Sequence, residues 1–90
     1  MRDLRSKLKS CQPYLIQRDL YPKLFFRDDG RYTEKLIFKY AFIDRFRDEQ
    51  ISVKLDYYSR QGINKKLHQI LDANKYLIEE FLNNQNVAKK

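Results

Sequence analysis

Glycine and proline, the residues that most often end a helix or strand, occupy only four positions of this chain. They are Pro13, Pro22, Gly30 and Gly62. They divide the 90 residues into four sections, namely 1–12, 13–29, 30–61 and 62–90. A chain of this length forms one domain. No section contains an apolar run approaching the about 20 residues of a membrane-spanning helix, so we expect no membrane partner.

The first section carries a helical repeat. Leu4, Leu8 and Cys11 are spaced so that they share one face at 3.6 residues per turn. The sequence therefore predicts a helix over residues 2–12. Pro13 ends this helix or forces a kink in it. A second, short helix over 13–21 would have Pro13 at its first position and stop at Pro22.

The middle of the chain shows two signals of β-structure. In 51–58 apolar residues alternate with polar ones, which is the two-residue period of a strand. These apolar residues are Ile51, Val53, Leu55 and Tyr57. The dipeptide Asp29-Gly30 suits a tight two-residue turn. The sequence thus predicts a strand over 51–58 and a hairpin over 23–33.

The stretch 36–46 fits two patterns. As a strand, its even-numbered aromatic positions share one face, and the aromatic and β-branched content favours this interpretation. As a helix, Leu36, Tyr40 and Ile43 share a face, and Thr33 could cap its start. We take the strand as the prediction and the helix as the alternative.

The last section predicts a long amphipathic helix over 63–82. Its apolar stripe consists of Ile63, Leu67, Ile70, Leu71, Leu77, Ile78 and Phe81. The polar residues 83–90 are expected to form a frayed tail. The whole prediction is an α+β fold in a single domain over 1–82. It has an N-terminal helix, a small antiparallel sheet of about three strands, and the long C-terminal helix packed on one face.

The charge of the chain points to a polyanionic partner. The net charge is +7, from 19 basic and 12 acidic residues. Residues 1–27 contain seven of the basic residues and two of the acidic ones. Such an excess attracts polyanions at long range, and nucleic acid is the commonest polyanion that small basic domains bind.

The candidate contacts are the basic face of the N-terminal helix, the other cations of the first third, and one face of the predicted sheet. The full set is Arg2, Arg5, Lys9, Arg18, Lys23, Arg27, Lys39, Arg45, Lys54 and Tyr58. Arg2, Arg5 and Lys9 form the centre. The cations would neutralise phosphates and release counterions, and Tyr58 would stack on a base.

Enzyme chemistry has little support in the sequence. Cys11 and His68 are the only cysteine and histidine, and two such residues cannot form a tetrahedral zinc site on their own. Paired carboxylates fall in predicted turns or near a helix end, where solvated side chains are the rule. We therefore expect no catalytic residue, no metal and no cofactor.

The sequence favours a small basic regulatory protein that binds nucleic acid, with DNA ahead of RNA. The alternative is a protein-interaction module, an adaptor or inhibitor that binds an acidic partner or a second copy of the chain as a homodimer. A single cysteine forms no internal disulfide, so we expect a reducing, cytoplasmic location.

Overall fold

The computed structural model describes residues 4–27, 33–56 and 59–88, and every regular element among them is helical. The helices are α1 (Leu4–Lys9), α2 (13–23), α3 (33–43), α4 (Asp48–Leu55), α5 (Arg60–Ala73) and α6 (Lys75–Ala88). Helix α2 is α-helical over Pro13–Leu15, π-helical over Ile16–Leu20 and 3-10 over Tyr21–Lys23. Helix α3 is α-helical over Thr33–Phe38 and π-helical over Lys39–Ile43. Since no strand occurs in these ranges, the predicted α+β fold with an antiparallel sheet is wrong.

The predicted strand over 51–58 is largely replaced by α4. Ile51 is buried, Leu55 is half-buried and Val53 is 77% exposed. A strand would place all three side chains on one face, whereas a helix turns Val53 to the opposite side. Ile51 and Leu55 are four residues apart, a spacing that satisfies the helical repeat as well as the strand repeat. The alternation was therefore too short to distinguish the two.

Local signals at both ends favour the helix α4. The Arg47 N–H donates to Oε1 of Gln50 at 3.0 Å, which is half of a capping box. Asp48 and Glu49 occupy the first turn, where negative charge complements the helix dipole. Asp56 ends the helix with a left-handed backbone, φ 49°. The polar residues expected to form a turn between strands thus begin a helix.

The stretch 36–46 is also mostly helical, so the strand prediction is wrong here too. The buried stripe of α3 consists of Ile37, Phe38, Ala41 and Phe42. The helical alternative expected Leu36, Tyr40 and Ile43 on the inner face, but these are half-buried at its margin. The hairpin prediction fails in part: residues 24–27 belong to no helix, and no strand among the described residues pairs with them. Asp29-Gly30 lies outside the described residues.

The predicted long helix is two helices that meet at Asn74, a residue only 2% exposed. Its Oδ1 accepts a hydrogen bond from the Phe25 N–H at 2.7 Å. Its Nδ2 donates to the backbone oxygens of Phe25 at 2.8 Å and Ile70 at 2.9 Å. The Asn74 side-chain amide thus binds both the N–H and the oxygen of Phe25, the two backbone groups that a neighbouring strand would bind in a sheet. Helix α6 then continues past residue 82, where the sequence analysis ended the compact domain.

The core forms around α5, which packs against α1, α3 and α4, while α6 packs against α1 and α2. Its buried apolar residues are Leu8, Ile16, Leu20, Ile37, Phe38, Ala41, Phe42, Ile51, Ile63, Leu67, Ile70, Leu71, Ile78 and Phe81. Six of the seven stripe residues expected in the last section are among them, which confirms the apolar face. Of the predicted face of α1, Leu8 is buried, whereas Leu4 and Cys11 are half-buried.

A buried carboxylate holds segment 24–27 from the other side. Glu34 is 5% exposed, and its Oε1 accepts from the Arg27 N–H at 2.7 Å. Its Oε2 lies 3.3 Å from Nζ of Lys66, so the buried charge is paired.

None of the helices in the described ranges is both long and apolar enough to cross a bilayer.

Candidate functional site

The predicted centre of the binding site, Arg2, Arg5 and Lys9, is only partly described. Arg2 lies outside the described residues, and Lys9 is exposed. The Arg5 side chain is 18% exposed; it forms an ion pair with Asp48 and donates to Oδ1 of Asn64 at 3.0 Å. Arg5 therefore attaches α1 to α4 and α5.

Arg18 and Lys23 line one cleft of about 230 Å³ between α2 and α6. Arg18 donates to both carboxylate oxygens of Asp19, at 2.8 and 2.9 Å, and its guanidinium carbon lies 5.2 Å from the Tyr14 ring centroid. The hydrogen bond between the two charges raises the pKa of Arg18 and lowers the pKa of Asp19. Glu80 lines the cleft as well, so carboxylates balance its cations and the cleft attracts anions weakly.

Arg27 and Tyr58 are the next two predicted contacts. Arg27 has an exposed side chain, and its backbone is held by Glu34. Tyr58, the aromatic residue chosen for stacking, lies outside the described residues.

The chain turns back sharply at the end of α3. The Asp44 N–H donates to the Lys39 oxygen at 2.9 Å, and the Phe46 N–H donates to the Tyr40 oxygen at 2.8 Å. Arg45 between them has φ 65°, the left-handed region that favours glycine. This turn brings the Phe46 ring back to Tyr40, with 5.7 Å between the ring centroids.

The Arg45 side chain explains why arginine stands at a glycine-type position. Its guanidinium donates to the backbone oxygen of Lys9, the last residue of α1, at 2.7 Å and to the backbone oxygen of Cys11, two residues further on. Backbone oxygens at the C-terminus of a helix have no N–H of a following helical turn to bind. A left-handed backbone costs about 1–2 kcal/mol, whereas a hydrogen bond from a charged group contributes about 1.5–3 kcal/mol. The two bonds therefore outweigh the strain, and they fix Lys9 beside the turn.

Two lysines flank the Tyr40–Phe46 ring pair. Nζ of Lys54 lies 4.7 Å from the Phe46 centroid, and Nζ of Lys39 lies 5.9 Å from the Tyr40 centroid. We name this surface the basic–aromatic corner. It consists of Lys9, Lys39, Tyr40, Arg45, Phe46 and Lys54.

The corner keeps a positive charge. Lys39 forms an ion pair with Asp44 at 3.1 Å. Within the part of the chain that the structure describes, Asp44 is the only carboxylate at ion-pair distance from a corner cation. The exposed Arg47, a cation the sequence analysis did not select, follows Phe46 directly in the chain. The corner is therefore the better candidate for binding an anion.

Four of the ten predicted contacts meet in the corner, although the sequence placed them on a helix and a sheet. The ring pair was missed as a functional feature, because the strand pattern assigned both rings to the apolar face of the predicted sheet. Two basic residues directly precede aromatic ones, in Lys39-Tyr40 and Arg45-Phe46, and Lys54 follows within ten positions. This signal indicates a shared surface only once the helices are known.

Comparison with known proteins identifies no relative. No protein-family model, no curated protein and no solved structure matches the chain. In residues 4–27, 33–56 and 59–88, no group of three or more histidine, cysteine, aspartate or glutamate side chains is placed to hold a metal ion.

Proposed function

We propose that the protein is a small basic nucleic-acid-binding protein and that the basic–aromatic corner contacts the phosphates. The observation that carries the proposal is that the ammonium groups of Lys39 and Lys54 lie at the ring pair, with one carboxylate beside Lys39. Arg45 stands in the same turn and holds the backbone of the exposed Lys9 beside it. Arginine and lysine at such a surface neutralise phosphates and release counterions on binding.

The corner contacts fix position rather than sequence, because phosphate contacts carry no direct information about the bases. We therefore expect binding to many sequences of DNA or RNA, with an affinity that falls steeply as salt rises. The sequence predicted Arg2, Arg5 and Lys9 as the centre of the binding site. The proposed centre is now the corner, because the Arg5 side chain is held by Asp48 and Asn64.

The test compares two variants that lose the same charge. The corner variant is Lys9→Gln with Lys54→Gln, and the matched control is Arg18→Gln with Lys23→Gln. Each protein is titrated with labelled single-stranded DNA, duplex DNA and single-stranded RNA at about 50 mM and about 200 mM salt.

We expect the corner variant to lose roughly tenfold in affinity per contact and about two units of salt slope. The control should lose less, since its cations already have carboxylate neighbours. A wild-type protein that binds none of the three ligands at the lower salt concentration would refute the proposal. Equal losses in the two variants would refute the corner as the site.

A second candidate function is a protein-interaction module, and exposed aromatic residues favour it. Phe25 is 62% exposed and Tyr76 is 85% exposed. The Phe25 backbone is hydrogen-bonded to Asn74, and Tyr76 follows Asn74 by two positions. Aromatic residues are enriched at protein interfaces. The partner would be an acidic protein or a second copy of this chain, and an interface anchored by these rings should respond little to salt.

We propose a cytoplasmic, reducing location for either function, supported by the single Cys11.

A further inference from the structure

We infer that the basic–aromatic corner prefers single-stranded nucleic acid to duplex, with unpaired bases stacking on the Phe46 and Tyr40 rings. This inference rests on the proposed function and adds the class of ligand to it. The observation behind it is that the ring pair is half-buried at the surface and sits between two lysine ammonium groups.

The ring geometry suits two separate bases. The planes of Tyr40 and Phe46 are inclined by 52°, so their faces point in different directions. A single base cannot lie flat against both rings, whereas successive bases of a flexible strand can each take one face. Every base has a π-face, so this contact is tolerant of sequence.

Lys54 occupies the position that a base would take. Its ammonium lies 4.7 Å from the Phe46 centroid, and its side chain is exposed, so solvent and not core packing surrounds the group. Base stacking on an aromatic ring is stronger than a cation–π contact at an exposed site. A base can therefore displace the ammonium, which is then available to a phosphate of the same strand.

A duplex cannot use the rings in this way. Its bases are paired and stacked on one another, so their faces are not accessible to a side chain. Duplex binding would be limited to phosphate contacts from the cations, including Lys9 and Lys54. The difference between the two ligands is therefore the contribution of Tyr40 and Phe46.

The first experiment uses the wild-type protein and three ligands of equal length, about 16 nucleotides. They are a thymine single strand, a single strand of abasic sites, and a duplex, measured by fluorescence anisotropy at about 50 mM salt. The abasic strand keeps the phosphates and lacks the bases. We expect the thymine strand to bind about tenfold or more tightly than the abasic strand.

Equal binding of thymine and abasic strands overturns the inference but leaves the proposed function in place. Duplex binding as tight as that of the thymine strand has the same consequence. Absence of binding to all three ligands overturns the proposed function together with the inference.

The second experiment uses two ring variants. Phe46→Leu keeps an apolar side chain and removes the ring, and Tyr76→Leu removes an exposed ring on α6, outside the corner. We expect the ratio of thymine to abasic affinity to fall toward one in Phe46→Leu and to stay at its wild-type value in Tyr76→Leu. The salt slope should remain unchanged in both, because the phosphate contacts are intact.

A Phe46→Leu protein that keeps the wild-type ratio overturns the inference. Thermal melting of each variant checks that it is folded. If Phe46→Leu does not fold, Tyr40→Leu replaces it, and the comparison of thymine and abasic strands on the wild-type protein still decides the outcome.

Discussion

Helix α3 places aromatic rings on two of its sides, and the two groups differ in their surroundings. Phe38 and Phe42 are fully buried with 4.8 Å between their centroids, and Tyr21 and Phe26 each lie 5.9 Å from Phe38. Tyr21 and Phe26 are themselves half-buried, but both pack against the buried Phe38, and we call these four the interior rings. Tyr40, two residues from each buried phenylalanine, forms the half-buried surface pair with Phe46.

The comparison separates stability from binding along one short helix. The interior rings remove apolar surface from water, which is the main source of folding free energy. Tyr40 and Phe46 are half-buried, unlike Phe38 and Phe42, and they are flanked by Lys39 and Lys54. Variants of the interior rings should therefore change stability, and variants of the surface pair should mainly change binding.

The largest effect is expected for Phe42→Ala. Loss of a buried phenylalanine leaves a cavity and costs about 3–5 kcal/mol of unfolding free energy. Tyr40→Ala in the same helix is the matched control and should cost clearly less, because its ring is half-buried. Denaturant unfolding of both variants measures the difference. Equal losses would mean that the distinction between the two groups is wrong.

The next effect concerns Asn74, which holds segment 24–27 so that the Phe26 ring can pack against Phe38. Asn74→Ala removes the partner of the Phe25 N–H and oxygen, and each group left unsatisfied costs about 1–3 kcal/mol. The control Asn84→Ala changes an exposed asparagine on α6 and should stay within about 0.5 kcal/mol. Denaturant unfolding of the two variants measures the loss of unfolding free energy. A loss as small in Asn74→Ala as in Asn84→Ala would contradict the role of Asn74 in holding segment 24–27.

A smaller effect distinguishes two substitutions of Arg45 beside the surface pair. Arg45→Ala removes the bonds to the Lys9 and Cys11 oxygens and keeps the left-handed backbone. Because both bonds are exposed to water, we expect their combined loss to be about 1.5–3 kcal/mol, the value of one shielded charged bond. Arg45→Gly removes the same bonds but adopts φ 65° without strain, so its loss should be about 1 kcal/mol smaller. Thermal and denaturant unfolding give both values. A glycine variant that is no better than the alanine variant would show that the backbone is not strained.

The sequence predicted the apolar stripe of the last section but not its break. Ile63, Leu67 and Ile78 repeat at the helical period, and this local pattern is enough to identify a buried face. The break at Asn74 depends on a contact with Phe25, 49 positions earlier in the chain. No periodicity within the segment contains that information.

The predicted strands failed because their key residues are four apart. Phe38 and Phe42, like Ile51 and Leu55, lie on one face of a strand and also about one turn apart on a helix. Only the residues between them distinguish the two, and the exposure of Val53 shows which pattern holds.

For the candidate site, the sequence indicates which types of residue take part but not which of them lie close together. Lys9, Lys39 and Lys54 were selected for their charge, and nothing in the sequence indicated that they meet at one turn. Arg45 brings Lys9 to that turn across 36 positions of the chain, and this contact follows from the tertiary fold.

The smallest expected effect tests Tyr21, the one interior ring with a titratable group. Burial, and secondarily the charge of Asp44, raises the pKa of its hydroxyl above the ordinary 10.0. The folded protein therefore favours the neutral form, and this contribution to stability is complete below about pH 10. It is lost as pH rises through the folded-state pKa, where ionisation also removes the hydrogen bond that the hydroxyl donates to the Lys35 oxygen at 3.3 Å. We expect the unfolding free energy of the wild type to fall more steeply above about pH 10 than that of Tyr21→Phe, with both normalised to about pH 7. Identical slopes would show that packing against Phe38 does not shield the Tyr21 hydroxyl from solvent.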